Sequence, residues 1–346
     1  MSAENASCPV EETTSMKEAD WARKALHRIM NNIIVETLAV LLAGAIFIFT
    51  SAFDRVFRTK LKRAFIDWIQ GVSRDRLNVL RRAQVKHVFK RHYGLKRIKI
   101  KLAGGSYWLS VPCVVSGIEK RTRTAKKYLA KIVSDRSVIK HRYMTMLRNL
   151  GVLADGASLK FEEYENAREM ACFERGNLMT LREHGVRVPD VYGLYRLGGD
   201  DYMLVMEFID GRPLSKVSPD RANIGQVFDT LRTMHDSGMF HGDIKLDNFM
   251  LSGERIVVFD SLKIDPGEMS QAIEFDLACA ICALAQKAPV ITVIEQARKY
   301  YSDKEVAGAG SMLDIALSKV DLELPEKKIR ELKQALSDYS SPVLAT

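Results

Sequence analysis

Residues 241–251 read HGDIKLDNFML. Asp243, Lys245 and Asn248 bring an acid, a cation and an amide into an otherwise apolar stretch, and Ile244, Leu246 and Phe249 follow them one by one. That set suits phosphoryl transfer, whose catalysis is mostly positioning and neutralisation of charge. The reaction needs an acceptor for the substrate proton, oxygen ligands for magnesium and a cation on the phosphates. In a tight loop, Asp243 could face an incoming hydroxyl while the Asn248 amide oxygen, five residues on, turns to a metal. Asp260 ends the strand-like burst RIVVFD (255–260), which would bring a second hard-oxygen ligand beside them. Lys245 could neutralise the phosphate in flight. The competing reading is a charged surface turn.

The elements that must hold these residues change in texture along the chain. From about Arg97 come short β-like runs, IKIKLAGG, SYWLSVPCVVSG and KKYLAKIV. A charged, helix-like segment follows at about 161–183, then a Gly-Val-x-Val-Pro turn at 185–189. The runs VYGLYRL and DYMLVMEFI come next, and beyond Gly211 the pattern is mostly helical apart from NFML and RIVVFD. A sheet-rich lobe therefore precedes a helical lobe, joined near residues 207–211.

At this point the chain resembles a family. HGDIKLDN is similar to the H-x-D-x-x-x-x-N catalytic loop of the protein-kinase-like superfamily, and Phe259-Asp260-Ser261 stands where that family has its metal-binding Asp. The resemblance covers roughly residues 97–300. It implies Asp243 as catalytic base and Asn248 with Asp260 as Mg²⁺ ligands. Lys245 resembles the lysine of Ser/Thr-specific kinases. His241 is implied as a brace, and Asp276 as the helix acid that ties the loop down. YMLVMEFIDG resembles the inter-lobe hinge, with Met206 behind the adenine of ATP and the backbone near Glu207 to Ile209 pairing with it. Lys131 resembles the strand lysine that holds the nucleotide phosphates, and Glu174 the helix acid that pairs with it.

The departures narrow the class. Gly104-Gly105 is the nearest candidate for a glycine loop, and Ser261-Leu262 replaces Phe-Gly after the metal Asp. Fifteen residues separate Asp260 from Asp276, too few for a long activation segment. That compactness resembles RIO kinases, the small kinase of the KEOPS tRNA-modification complex, and lipopolysaccharide and aminoglycoside kinases.

The rest of the chain bears on location and partners. Its 52 Lys+Arg against 43 Asp+Glu give +9, which favours an anionic partner. Residues 33–49 read IIVETLAVLLAGAIFIF and, with the residues that follow, reach the length that spans a bilayer. Sixteen Lys/Arg against three Asp lie between Asp54 and Lys101. By the positive-inside rule this flank puts the C-terminal bulk in the cytoplasm. Phe57, Leu61, Phe65, Trp68, Ile69 and Val72 recur at helical steps, as on a basic helix lying on an anionic leaflet. Packing on the next domain competes with that reading, and a nucleic-acid arm is the weakest of the three. Five scattered cysteines suggest no disulfide framework and a reducing compartment. The Cys279-x-x-Cys282 pair sits among Ala, Ile and Leu, which points to buried helix packing.

The sequence thus predicts an α+β, two-lobed kinase-like fold with a small antiparallel-sheet N-lobe and a helical C-lobe, preceded by one transmembrane helix. The expected divisions are a polar tail at 1–30, the span at 31–53, a basic juxtamembrane helix at 54–96, the N-lobe at 97–208 and the C-lobe at 209–346. The expected activity is Mg-ATP-dependent transfer to a hydroxyl, foremost that of a membrane-tethered serine/threonine protein kinase. A small-molecule, sugar or lipid kinase and a nucleotide-binding pseudokinase are the alternatives.

Overall fold

The computed structural model describes residues 8, 10–12, 46, 77–103, 110–154, 157–319 and 322–337. It is an α+β chain that divides into two compact units. One holds residues up to 147 with 164–172 and 192–206, and the other holds 148–163, 173–191 and 207 onward.

The first unit is built on a six-stranded sheet of order β1-β6-β7-β4-β3-β2. Its strands are β1 (Glu11–Glu12), β2 (Leu95–Leu102), β3 (Val111–Glu119), β4 (Ala125–Val133), β6 (Val191–Arg196) and β7 (Tyr202–Glu207). The β2–β3 and β3–β4 pairs are antiparallel. Val111, Cys113 and Val115 alternate inward along β3, the two-residue period of a half-buried strand. Helix α1 (Val79–Arg91) packs Val85, Val88 and Phe89 into the same core. The described part of the basic stretch therefore spends its apolar face on protein. Its one buried cation, Arg81, is paired with Asp201 through hydrogen bonds of 2.6 and 3.0 Å.

Residues 31–53, expected to span a membrane, lie outside the described residues except for Ile46. Among the described residues no helix is long and apolar enough to cross a membrane. Two contacts bear on the residues that precede this run. Cys8 is disulfide-bonded to Cys172, with Cα atoms 6.1 Å apart, and β1 pairs with β6. One crossing at 31–53 would put residues 8–12 and the sheet on opposite faces of the bilayer. The disulfide also departs from the expectation of scattered cysteines in a reducing compartment. Cys113, Cys279 and Cys282 are free and buried, as expected for the Cys-x-x-Cys pair.

The second unit is mainly helical. Its centre is α5 (Met269–Ala285), whose residues Phe275 to Ala285 are all buried. Around it come α4 (Arg221–Asp236), α6 (Val290–Ala297), α7 (Asp303–Ser311), α8 (Leu313–Ser318) and α9 (Glu326–Ser337). Asp220 with Asn223 and Ser302 with Glu305 form capping boxes that start α4 and α7. A three-stranded sheet of β8 (Arg212–Pro213), β9 (Phe249–Ser252) and β10 (Arg255–Val258) carries the candidate site. Two of the unit boundaries fall inside further helices, α2 (Asp135–Ala154) and α3 (Ala167–Glu183).

Candidate active site

The motif loop is held from three directions within the helical unit. Asp276 of α5 is fully buried and accepts from the main-chain N–H of His241 at 2.6 Å and of Gly242 at 2.8 Å. His235, in the last turn of α4, faces the same carboxylate at 3.3 Å through Nε2, and its Nδ1 lies 2.9 Å from the Tyr301 hydroxyl. His235 is thus a buried link of this network. Burial opposes the charge on Asp276, but the His235 hydrogen bond and the His241 N–H outweigh it and hold the carboxyl below its ordinary range.

Gly242 has φ +71°, so the chain turns in the left-handed region immediately before Asp243. His241 Nδ1 accepts from the Asp243 N–H at 3.3 Å, which leaves the ring proton on Nε2. The ring stacks on Phe249 with centroids 5.5 Å apart. Burial pushes the His241 pKa down, which suits a neutral brace rather than an acid or base.

The β9–β10 hairpin brings Asp260 to the loop. Val258 pairs with Phe249, and the Phe259 N–H then donates to Asn248 O at 2.9 Å. The Leu262 N–H donates to His241 O at 2.9 Å and closes the other side. Asp260 has φ +53°, a conformation that Asp tolerates better than most residues. Asn248 Nδ2 donates to Asp243 O at 2.8 Å and to Asp260 O at 3.4 Å. With its nitrogen so committed, the amide presents Oδ1 as its remaining group. An amide oxygen and a carboxylate, joined through the Asn248 bond to the Asp260 main chain, are hard-oxygen donors of the kind magnesium takes, so these residue types fit the ion. Asn248 and Asp260 would hold it, and it would supply positive charge to the phosphate oxygens.

Asp243 sits among cations. Lys245 Nζ lies 3.1 Å from Oδ2, while Arg148 Nη2 at 3.1 Å and Lys319 Nζ at 3.5 Å face Oδ1. Burial alone would raise the pKa of this carboxyl. Lys245, Lys319 and Arg148 reverse that and hold it well below the ordinary range, so Asp243 is ionised at neutral pH. Ser261, which replaces the family Phe, accepts a hydrogen bond from Asn177 of α3.

The structure thus brings Asp243, Lys245, Asn248 and Asp260 together. Glu174 lies on α3 in the same unit, one turn before Asn177. Glu207 is tied to Asp190, donating its N–H to Asp190 O at 2.8 Å and accepting the Asp190 N–H on Oε2 at 3.3 Å; half-buried Ile209 follows. Lys131, opposite Pro112 in the β3–β4 pair, and buried Met206 belong to the sheet unit. Gly104 and Gly105 lie outside the described residues. Arg148 and Lys319 were not foreseen. Neither carries a spacing signal, because each meets the loop only through the fold.

The family profile of the RIO domain matches residues 126–296. The chain belongs to the protein-kinase-like superfamily, in its compact atypical branch. The matched span runs from β4 through α6 and includes Lys131, Arg148, Glu174, the motif loop, Asp260 and Asp276, while Tyr301 and Lys319 lie beyond it. A stretch of 80 residues is 34% identical to the "Probable bifunctional tRNA threonylcarbamoyladenosine biosynthesis protein" of Methanosarcina barkeri, covering 23% of this chain and 13% of the relative. A stretch of 83 residues is 30% identical to "Serine/threonine-protein kinase D" of Synechocystis sp., covering 22% of this chain and 16% of the relative. This chain thus spans only a small part of either relative. A solved structure of a provisionally named fructosamine-3-kinase from Haemophilus somnus aligns with TM-score 0.40 at 10% identity, over 76% of this chain and all of that one.

Proposed function

We propose that this atypical kinase transfers the γ-phosphoryl group of ATP to a hydroxyl acceptor, with magnesium as cofactor. The observation that carries the reading is the buried, ionised Asp243 carboxylate beside Asn248 and Asp260 on one loop and hairpin. Asp243 orients the acceptor hydroxyl and takes its proton as the new O–P bond forms and the bond to the ADP oxygen breaks. Lys245, two residues on, offsets charge on the moving phosphoryl group. The family resemblance assigns Lys131 to the α and β phosphates, Glu174 to the support of that lysine, and the stretch from Met206 to Ile209 to the adenine. The presence of Lys245 favours a serine or threonine hydroxyl of a protein. The short segment between Asp260 and Asp276 favours the second reading, a small-molecule, sugar or lipid acceptor.

The test is transfer from γ-labelled ATP with magnesium, using the full chain with cell extract beside Asp243→Ala and Asp260→Ala. We expect label on an acceptor and at least about a thousandfold loss in either variant, on the scale of removing a principal catalytic group. Full turnover by Asp243→Ala would overturn the assignment. Nucleotide binding without transfer in the unaltered chain would make it a pseudokinase.

A further inference from the structure

The motif accounts for one of the three cations around Asp243. The other two come from elsewhere in the helical unit, and both are built in. Arg148 lies near the end of α2 with its guanidinium 5.7 Å from the centre of the Phe161 ring. Its neighbour Asn149 clasps the main chain of Phe161, donating from Nδ2 to O at 2.9 Å and accepting the N–H on Oδ1 at 2.8 Å. Phe161 in turn belongs to β5 (Lys160–Phe161), which pairs with β11 (Ile264–Asp265) just beyond Asp260. Lys319, immediately after α8, donates to Ile244 O at 3.4 Å and lies 6.0 Å from the centre of the Phe275 ring. The two side chains are only 18% and 12% exposed, so neither is a loose surface cation.

Three cations face the one carboxylate of Asp243, and two of them are largely buried. Arg148 Nη1 is also buried with no hydrogen-bond partner among the described residues. A buried N–H without an acceptor is costly, and an anion would relieve both conditions at once. We propose that Arg148, Lys319 and Lys245 form an anion subsite beside Asp243 that takes a phosphoryl group. A guanidinium fork with a free arm matches two oxygens of such a group, and the lysines neutralise what remains. The phosphoryl group comes from one of two sources, the nucleotide or an acceptor that already bears a phosphate. The subsite rests on the kinase reading and deepens it, yet its binding test requires no turnover.

The experiment titrates inorganic phosphate into the full chain by calorimetry, beside Arg148→Met, Arg148→Lys, Lys319→Met, Asp243→Asn and the exposed control Lys327→Met. Circular dichroism checks that each variant is folded. Losing one charge-assisted hydrogen bond should weaken binding about tenfold in Arg148→Met and in Lys319→Met. Arg148→Lys should fall between, and Lys327→Met should match the parent. Asp243→Asn should bind phosphate several-fold more tightly, roughly the effect of removing one like charge at this range. A merely structural role for the cluster predicts no such gain.

Absence of saturable binding, indifference to Arg148→Met and Lys319→Met, or weaker binding by Asp243→Asn would each overturn the proposal. So would faster transfer by Arg148→Met with phosphate binding intact, which would make Arg148 a plug on the base. Repeating the titration with Mg-ADP and with a non-hydrolysable Mg-ATP analogue separates the sources. Phosphate admitted beside ADP but excluded by the triphosphate marks the transferred group. Phosphate admitted beside both marks the acceptor's own. A chain that binds phosphate in this way yet transfers nothing would sink the kinase reading and leave the subsite standing, and the reverse result would do the opposite.

Discussion

Two buried carboxylates, Asp243 and Asp276, make acid the condition that should unmake the site. Both are held below the ordinary carboxylate range in the folded chain. In the unfolded chain they titrate near the usual value, about 4. The stability they contribute is therefore complete above that value and is lost as pH falls through their lower folded values. Melting curves taken from pH 7 down to pH 3 should show stability falling steeply below about pH 4. Asp276→Asn should cost about 3 kcal/mol at pH 7, because an amide N–H₂ would face the N–H groups of His241 and Gly242. The same variant should have a shallower acid slope. An unchanged slope would mean that Asp276 is not the carboxylate being titrated. At this scale the loop residues were legible because their chemistry needs fixed types at fixed spacing within one short stretch. Arg148 and Lys319 were not, since nothing in 241–251 announces which distant cation will arrive.

The loop works only because its neighbouring elements fix its path, and Gly242 is where that path is tightest. A Cβ there would collide with Ile264 Cδ1 and stand 3.0 Å from Ile264 Cγ1 and 3.3 Å from Leu262 Cβ, at a φ that L-residues avoid. Gly242→Ala should therefore destabilise the chain by about 1–3 kcal/mol, part backbone strain and part overpacking. Adding Ile264→Val removes the closest atom and should restore the packing share while leaving the strain. Urea midpoints of the single and double variants measure the two shares, and no recovery in the double variant would mean that strain alone is responsible. The longer strands were visible in sequence through their apolar runs, and NFML and RIVVFD became β9 and β10. Helix α2 was not foreseen, because its buried face includes Ser137, Lys140, His141 and Thr145 and so shows no clean apolar stripe. The two-residue strands β5 and β11 are too short to leave any period.

Over the whole chain the open question is where it resides. The apolar run at 33–49 and the basic flank after it are strong sequence signals for a membrane, and composition alone has no means of seeing a contact from Cys8 to a residue 164 positions away. That contact and the β1–β6 pair place residues 8–12 with the sheet. Electrostatic attraction, from a chain of formal charge +9, is a route to an anionic surface that agrees with both contacts. Surface attraction of this kind is screened at high ionic strength, whereas a spanning helix is indifferent to salt and to alkaline carbonate. Membranes from cells making the full chain should therefore release it into about 1 M salt, where the screening length falls to about 3 Å. Mass spectrometry of the released protein under non-reducing conditions should recover a peptide joining Cys8 to Cys172. Protein that resists both salt and carbonate, with residues before 30 protected from protease and no such peptide, would restore the single-pass arrangement. It would also show that the Cys8 and β1 contacts do not form in the cell.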